Sequence, residues 1–400
     1  MRPRAYAWPE GHWDWYRHLA FKHGVRTEQF IHVGGQVDKT SRGDPLHPGD
    51  LPTQIGVVVG HIAAVLREFG ATLADTVKLT AFFVAGDGVD ETWFVEAVAE
   101  ACRANGLGAA RSGPVIVPVP LPWLALPGMR VEIEAVAMLG EYGQSLDRDS
   151  ASPDGVPELP APLSHALRCG GHVFVGGQSA AGGEPGTGTL AHERLSDALG
   201  KLGAAPADLV RLAAWYASEV PPSVRSADFE RHVAPIECAY VELPAPRLAP
   251  EHLVRVDGWA VPAPAGSTVE RRVLRLDAPW RRPGRAAHVG GVCVDGIVFL
   301  SSQLALDGDG AVVHGNDLNA QTRLCIERTR ELLAGAGLDL DHMVKQTSYF
   351  HGEADPKDIV TNQTLRSSFY REPAGASTGV PLADFGLPGM LAAIDTIAMA

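Results

Sequence analysis

Charged residues recur at matched positions in three stretches of the 400-residue chain, and they are where its chemistry is sought first. GATLADTVKLTAFF (from Gly70), GAAPADLVRLAAWY (from Gly203) and GLDLDHMVKQTSYF (from Gly337) each place a basic residue directly after a valine: Lys78, Arg211 and Lys345. Strand-like seven-mers further on, VEIEAVA from Val131, VRVDGWA from Val254 and AAIDTIA from Ala392, each hold an acid at the fourth position: Glu134, Asp257 and Asp395. Charges this regular among apolar neighbours are expected to be buried in pairs, across adjacent strands or across unit boundaries. Glu132 lies two residues before Glu134, on the same strand face, and has no acidic counterpart in the other copies. A charge present in every copy reads as structural, whereas one present once is drift or chemistry.

Three weaker constellations stand beside these. His12, His18 and His23 could be imagined around a metal, but they lack zinc-type spacing and have no cysteine nearby, so an aromatic flap packed over a domain face is preferred. Ser377, Thr378 and His288 could form a serine–histidine nucleophile, although no elbow motif and no orienting acid accompanies them. Cys238 has no neighbour in sequence that would lower its pKa, and reads as inert.

The elements that must carry these residues repeat with them. Gly70, Gly203 and Gly337 stand 133 and 134 residues apart, which makes three tandem units rather than a short-period solenoid. Each glycine is placed just past a helix end, with a strand following; the preceding VVVGHIAAVLREF and LNAQTRLCIERTRELLAGA carry helical apolar spacing. A second shared motif, FIHVGGQ, HVFVGGQ and IVFLSSQ, ends a strand in small residues and a glutamine. Proline- and glycine-rich stretches after residues 140 and 260 read as linkers. The units are assigned to residues 1–140, 155–262 and 268–400, the third opening on the alternating VERRVLRLD.

Composition narrows the class. An apolar fraction of 46% and a charged fraction of 20% suit a soluble globular chain, and no apolar run is long enough to span a membrane. With charges and prolines where a signal peptide needs an apolar core, the N-terminus points to a cytoplasmic protein. Five isolated cysteines read as reduced, buried thiols. A net charge of −13 argues against a nucleic-acid partner.

The first unit resembles the RidA (YjgF-type) reactive-intermediate deaminase family. It has a strand ending GGQ, a helix, a G-x-x-x-x-D-x-V-K strand, a second helix, the ARS of AARSGP and the closing VEIEAVA. The third unit shares the layout and the second does so more weakly. The resemblance implies an α+β, chorismate-mutase-like unit, and for three in one chain a covalent pseudo-trimer with sheets facing inward and helices outside. Whether that pseudo-trimer associates further is left open. It also implies hydrolysis of enamine or imine intermediates, with no cofactor and no metal, and a small carboxylate-bearing molecule as partner. Arg111 would hold the substrate carboxylate, as its planar fork suits, and Glu132 would handle the water. Phe21, Gly34, Gly35, Ser112, Gly113 and Trp123 would surround the substrate. Phe21 stands where the family usually has tyrosine, and Gly113 where it has a small polar or thiol residue, so a specialised substrate is expected. By the alignment of these motifs the Arg111 position falls near Cys238 and at Ser377 in the later units, and the Glu132 position at Arg255 and Ala393. The family's association with RNA cleavage fits poorly with the acidic composition. Two other readings stay open: a chorismatase-like lyase or hydrolase acting on an enol-ether carboxylate, and a ligand-binding or scaffold protein without catalysis.

Overall fold

Each third of the chain builds one mixed sheet with two helices, and the three sheets close around a common axis. The computed structural model describes residues 3–13, 18–86, 88–108, 112–181, 187–245, 252–264, 266–352 and 356–400. The first unit runs β1 (Arg4–Ala7), β2 (Gly24–Thr27), β3 (Phe30–Val37), α1 (Leu51–Arg67), β4 (Thr76–Val84), α2 (Glu91–Ala104), β5 (Val115–Leu121) and β6 (Val131–Met138), in sheet order β1-β2-β3-β6-β4-β5. The second has β7 (Arg148–Ala151), β8 (Ala166–Cys169), β9 (His172–Ala181), α3 (Thr187–Lys201), β10 (Leu209–Ala217), α4 (Pro222–His232), β11 (Ala239–Ala245) and β12 (His252–Ala260). The third has β13 (Arg271–Leu274), β14 (Gly291–Val294), β15 (Ile297–Leu300), β16 (Gln303–Leu304), α5 (Leu318–Gly335), β17 (Met343–His351), α6 (Pro356–Ser367), β18 (Ala376–Leu382) and β19 (Ala392–Met399).

The same strand order recurs in all three sheets, the third adding the short β16 against β19. Strand β7 pairs with β8 through Ser150 and Leu167, so the second sheet begins inside the stretch that composition marks as linker. Gly70, Gly203 and Gly337 have φ of 73°, 71° and 77°, the left-handed turn that ends the first helix of each unit at no Cβ cost.

The helices cover one face of each sheet. In the first unit Val58, Ile62 and Leu66 of α1 pack with Leu79, Ile133 and Ala135. The opposite faces meet at the axis, where Phe82, Trp215 and Tyr349 occupy matching positions on β4, β10 and β17, their ring centroids 6.1 and 6.0 Å apart in sequence. Four residues earlier on the same strands, and so on the same faces, the basic residues meet the acids of the next unit. Lys78 pairs with Asp257, Arg211 with Asp395, and Lys345 with Glu134 at 2.8 Å. Every pair crosses a unit boundary, in cyclic order, as expected for charges that would otherwise be buried alone.

At each boundary an outer strand of one sheet lies against the small-residue motif of the next. Edge strand β18 meets β3, where a Cβ on Gly34 would sit 2.7 Å from the Ser377 carbonyl oxygen. Likewise β5 meets β9, where a Cβ on Gly176 would sit 2.7 Å from the Ile116 carbonyl oxygen. In the third seam the Ser302 backbone N–H donates to the Tyr240 carbonyl at 3.0 Å. The small residues of VGGQ and LSSQ are therefore set by the approach of neighbouring backbone.

Candidate functional site

Glu132 occupies a cleft between the first and third units. Its strand, β6, pairs with β3, and the register shifts between Val33 and Gln36, opposite Gly34 and Gly35. A Cβ on Gly35 would fall 1.9 Å from Glu132 Oε1, so glycine there is what lets the carboxyl reach its position. The Gly35 N–H donates to Thr378 Oγ1 at 2.9 Å, which fixes the loop against the third unit.

The carboxyl is almost fully buried, and burial pushes its pKa up to about 8, with Glu134 adding to the rise and Lys39 opposing it. Lys39, equally buried, is drawn down by the same desolvation. For both groups burial outweighs their mutual attraction, and the balance draws Glu132 toward its protonated form.

Across the cleft stands Arg366 of α6, 2% exposed. Its Nε donates to Asn362 Oδ1 at 3.2 Å, and its Nη1 to Ser377 Oγ at 3.1 Å and Gln346 Oε1 at 3.3 Å. The guanidinium carbon lies 5.6 Å from the centre of the Phe21 ring, a cation–π distance. Trp8, Trp13, Phe21, His23 and Phe350 supply the aromatic wall of a space of about 690 Å³, its open mouth included.

His23 packs edge-on against Trp8 and Trp13 and His12 lies tilted on Trp13, with the two histidine ring centroids 4.8 Å apart, while His18 is exposed. Burial holds His23 down to about 2 and His12 to about 4, so both are neutral rings rather than acids. Among the described residues no group of three or more histidine, cysteine or carboxylate side chains could hold a metal ion.

The remaining sequence candidates are distributed over other places. Arg111 lies outside the described residues. The residues after it face the seam between the first and second units: Ser112 Oγ donates to Ser150 Oγ at 2.9 Å, and a Cβ on Gly113 would meet the Pro162 carbonyl oxygen at 2.0 Å. The space left by Gly113 is thus filled by backbone of the second unit rather than opening a cavity. Trp123 ties its connection to the third unit by donating to the Gly352 carbonyl at 3.1 Å; Ala125 and Met129 of the same connection line the cleft. The grouping of His288 with Ser377 and Thr378 is corrected by the fold. Ser377 and Thr378 belong to the Glu132 cleft, while the His288 ring bonds the Cys238 carbonyl at 2.9 Å in the seam between the second and third units. Cys238 is buried, with its thiol pushed up to about 12 by desolvation, and is no nucleophile at neutral pH.

Neither of the other seams carries a carboxylate at the Glu132 position. Between the first and second units Arg255 fills the space itself, donating to the Pro118 carbonyl and pairing with Glu91. Between the second and third units the position is Ala393, opposite Leu304. Arg366 and Lys39 were not singled out by sequence. The usable signals were a run of polar residues on a helix that must pack (Asn362, Gln363, Arg366, all buried) and a lysine three residues past the GGQ motif.

A family model described as Endoribonuclease L-PSP matches residues 17–139 and 281–400. The chain belongs to that family, the RidA (YjgF-type) group, and carries three tandem copies of its unit. Among solved structures, a chorismatase matches with a TM-score of 0.51 and 11% identity, over 81% of this chain and 93% of its own. Two single-unit proteins also match: the conserved Rid family protein YyfA from Yersinia pestis, and Rv2704 from Mycobacterium tuberculosis, a member of the YjgF/YER057c/UK114 family. Each is 23% identical and is covered over its full length, by 33% and 34% of this chain and at TM-scores of 0.28 and 0.27 respectively. The chorismatase likeness shows a shared fold over most of both chains. Among the described residues no helix is long and apolar enough to cross a membrane.

Proposed function

We propose that the chain hydrolyses a small 2-substituted acrylate, with a 2-amino group (an enamine) as the leading case, in the cleft of Glu132 and Arg366. The observation that carries this reading is a carboxyl buried in the same cleft as a buried guanidinium, with burial drawing the carboxyl toward its protonated form. Arg366 holds the substrate carboxylate. Glu132 gives its proton to the terminal methylene carbon, converting the enamine into an iminium ion. The resulting carboxylate takes a proton from water as the oxygen adds to the iminium carbon, and collapse of the adduct releases ammonia and a 2-keto acid. Lys39 limits the cost of the transient carboxylate. The same proton would start hydrolysis of a 2-alkoxy acrylate, an enol ether, releasing an alcohol and pyruvate. The aromatic wall and the fold shared with a chorismatase favour that second reading.

Release of pyruvate from 2-aminoacrylate generated in situ, and separately from chorismate, tests the proposal and distinguishes the two substrates. Loss of turnover in Glu132→Gln and Arg366→Ala with Arg111→Ala active supports it. Inactivity of Arg111→Ala with Arg366→Ala unimpaired would return the carboxylate clamp to Arg111. Absence of turnover with both substrates would favour a ligand-binding role.

A further inference from the structure

The seam between the second and third units encloses a space of about 740 Å³, its mouth included, as large as the Glu132 cleft and of different chemistry. We propose that it is a second binding site, for a small organic anion with a flat apolar body such as an aromatic carboxylate.

Arg225, Arg282 and Arg285 are at most partly exposed and face the acids Glu242 and Asp228, with the exposed Asp384 near Arg225. Asp228 is itself pushed up by burial, toward its neutral form. Arg285 is committed to Glu242: both Nη atoms bond its carboxylate, and Nε donates to Ser226 Oγ at 3.0 Å. Arg282 is held differently. It donates from Nη2 to the Glu242 backbone carbonyl at 2.8 Å, and its Nε stays 3.7 Å from Oε1, beyond a hydrogen bond. A guanidinium kept largely out of water, with its nearest carboxylate shared with a better-placed arginine, is suited to a ligand anion.

The rest of the lining supplies the body of the ligand site. Phe229, Tyr240 and Trp280 give apolar faces, and Ser301 and Gln303 give polar edges. The Trp280 indole is fixed by its N–H to Gln303 Oε1 at 3.0 Å, and Phe229 lies under Arg285 at 5.1 Å. At the mouth are Arg275 and Arg281, each already paired with an acid, Glu237 and Asp309. No carboxyl occupies the position of Glu132, so the site binds without the proton donor of the other cleft.

Calorimetric titration of benzoate into the full-length Arg366→Ala variant, in which the Glu132 cleft lacks its guanidinium, tests this. Saturable binding is expected, at least about tenfold tighter than that of the neutral isostere benzamide, and weakened about tenfold or more by adding Arg282→Gln. Ala287→Trp, at an exposed lining position away from the ion pairs, is expected to abolish binding without changing the melting temperature, which covers the case of an unstable Arg282→Gln. Equal binding of benzoate and benzamide, no saturable binding at millimolar benzoate, or binding indifferent to both Arg282→Gln and Ala287→Trp would each overturn the proposal.

Discussion

Lys345 Nζ lies 2.8 Å from Glu134 Oε2 across the boundary of the third and first units, and the pair is one of three that together close the ring. Thr347 Oγ1 also donates to Glu134 Oε2, at 3.2 Å, and Lys345 donates to Thr347 and Thr378. The Lys345 partner network therefore extends to Thr378, the residue that fixes Gly35, directly before the glutamine of the GGQ motif. Lys345→Met leaves Glu134 without its counter-charge and is expected to cost about 3–5 kcal/mol. Adding Glu134→Gln should recover most of that loss. Urea denaturation of the two single variants and the double variant gives the coupling.

Glu132→Gln keeps the shape of the side chain and removes its proton chemistry. Turnover should fall by about 10²–10⁴-fold while the urea midpoint at neutral pH changes little. Gly35→Ala is expected to reach a similar loss by another route, since its methyl group would occupy the place of the Glu132 carboxyl.

Removing the guanidinium of Arg366 should act on binding as well as on rate. Arg366→Lys keeps a charge but not the planar fork, and KM should rise about tenfold or more with a smaller change in kcat. Steady-state kinetics on 2-aminoacrylate separates the two constants.

Lys39 opposes the upward shift of Glu132, so Lys39→Met should move that pKa still higher. Any limb of the kcat/KM profile that reports loss of the Glu132 proton should then shift to higher pH. Stability follows the same group. Because folding raises the Glu132 pKa from 4.5 to about 8, its favourable contribution is complete below 4.5 and is lost as pH rises through 8. Glu132→Gln cannot ionise, and its urea midpoint should fall less than that of the wild type between about pH 6 and pH 9.

Arg255 plugs the seam between the first and second units and takes no part in the proposed reaction. Arg255→Leu should therefore leave turnover nearly unchanged while destabilising the fold by a few kcal/mol, chiefly because Glu91 and the Pro118 carbonyl lose their partner. Parallel activity and denaturation measurements check both halves.

The repeated strand and its glycine were legible because helix end, turn and alternation each leave a local mark, and Gly70, Gly203 and Gly337 all take the expected left-handed turn. The cross-boundary pairing of Lys78, Arg211 and Lys345 was legible for a related reason: a charge repeated on an apolar strand must find a partner. What could not be read was which unit faces which. Ser112 and Glu132 belong to one unit yet open onto different seams, since β5 and β6 present their ends to opposite neighbours. Arg366 was hidden because it reaches the cleft from a helix of the third unit, with no shared motif around it. His288, Ser377 and Thr378 looked like one group only because sequence distance within a unit says nothing about a seam.

A ring of separate subunits falls apart when diluted, and its clefts vanish with it. Here the junction that houses Glu132 and Arg366 joins two ends of one polypeptide, so the local concentration of one face around the other is set by the intervening chain rather than by the amount of protein in solution. Output per molecule should accordingly hold constant down to the most dilute assay, and each of the three junctions is free to diverge without altering the other two.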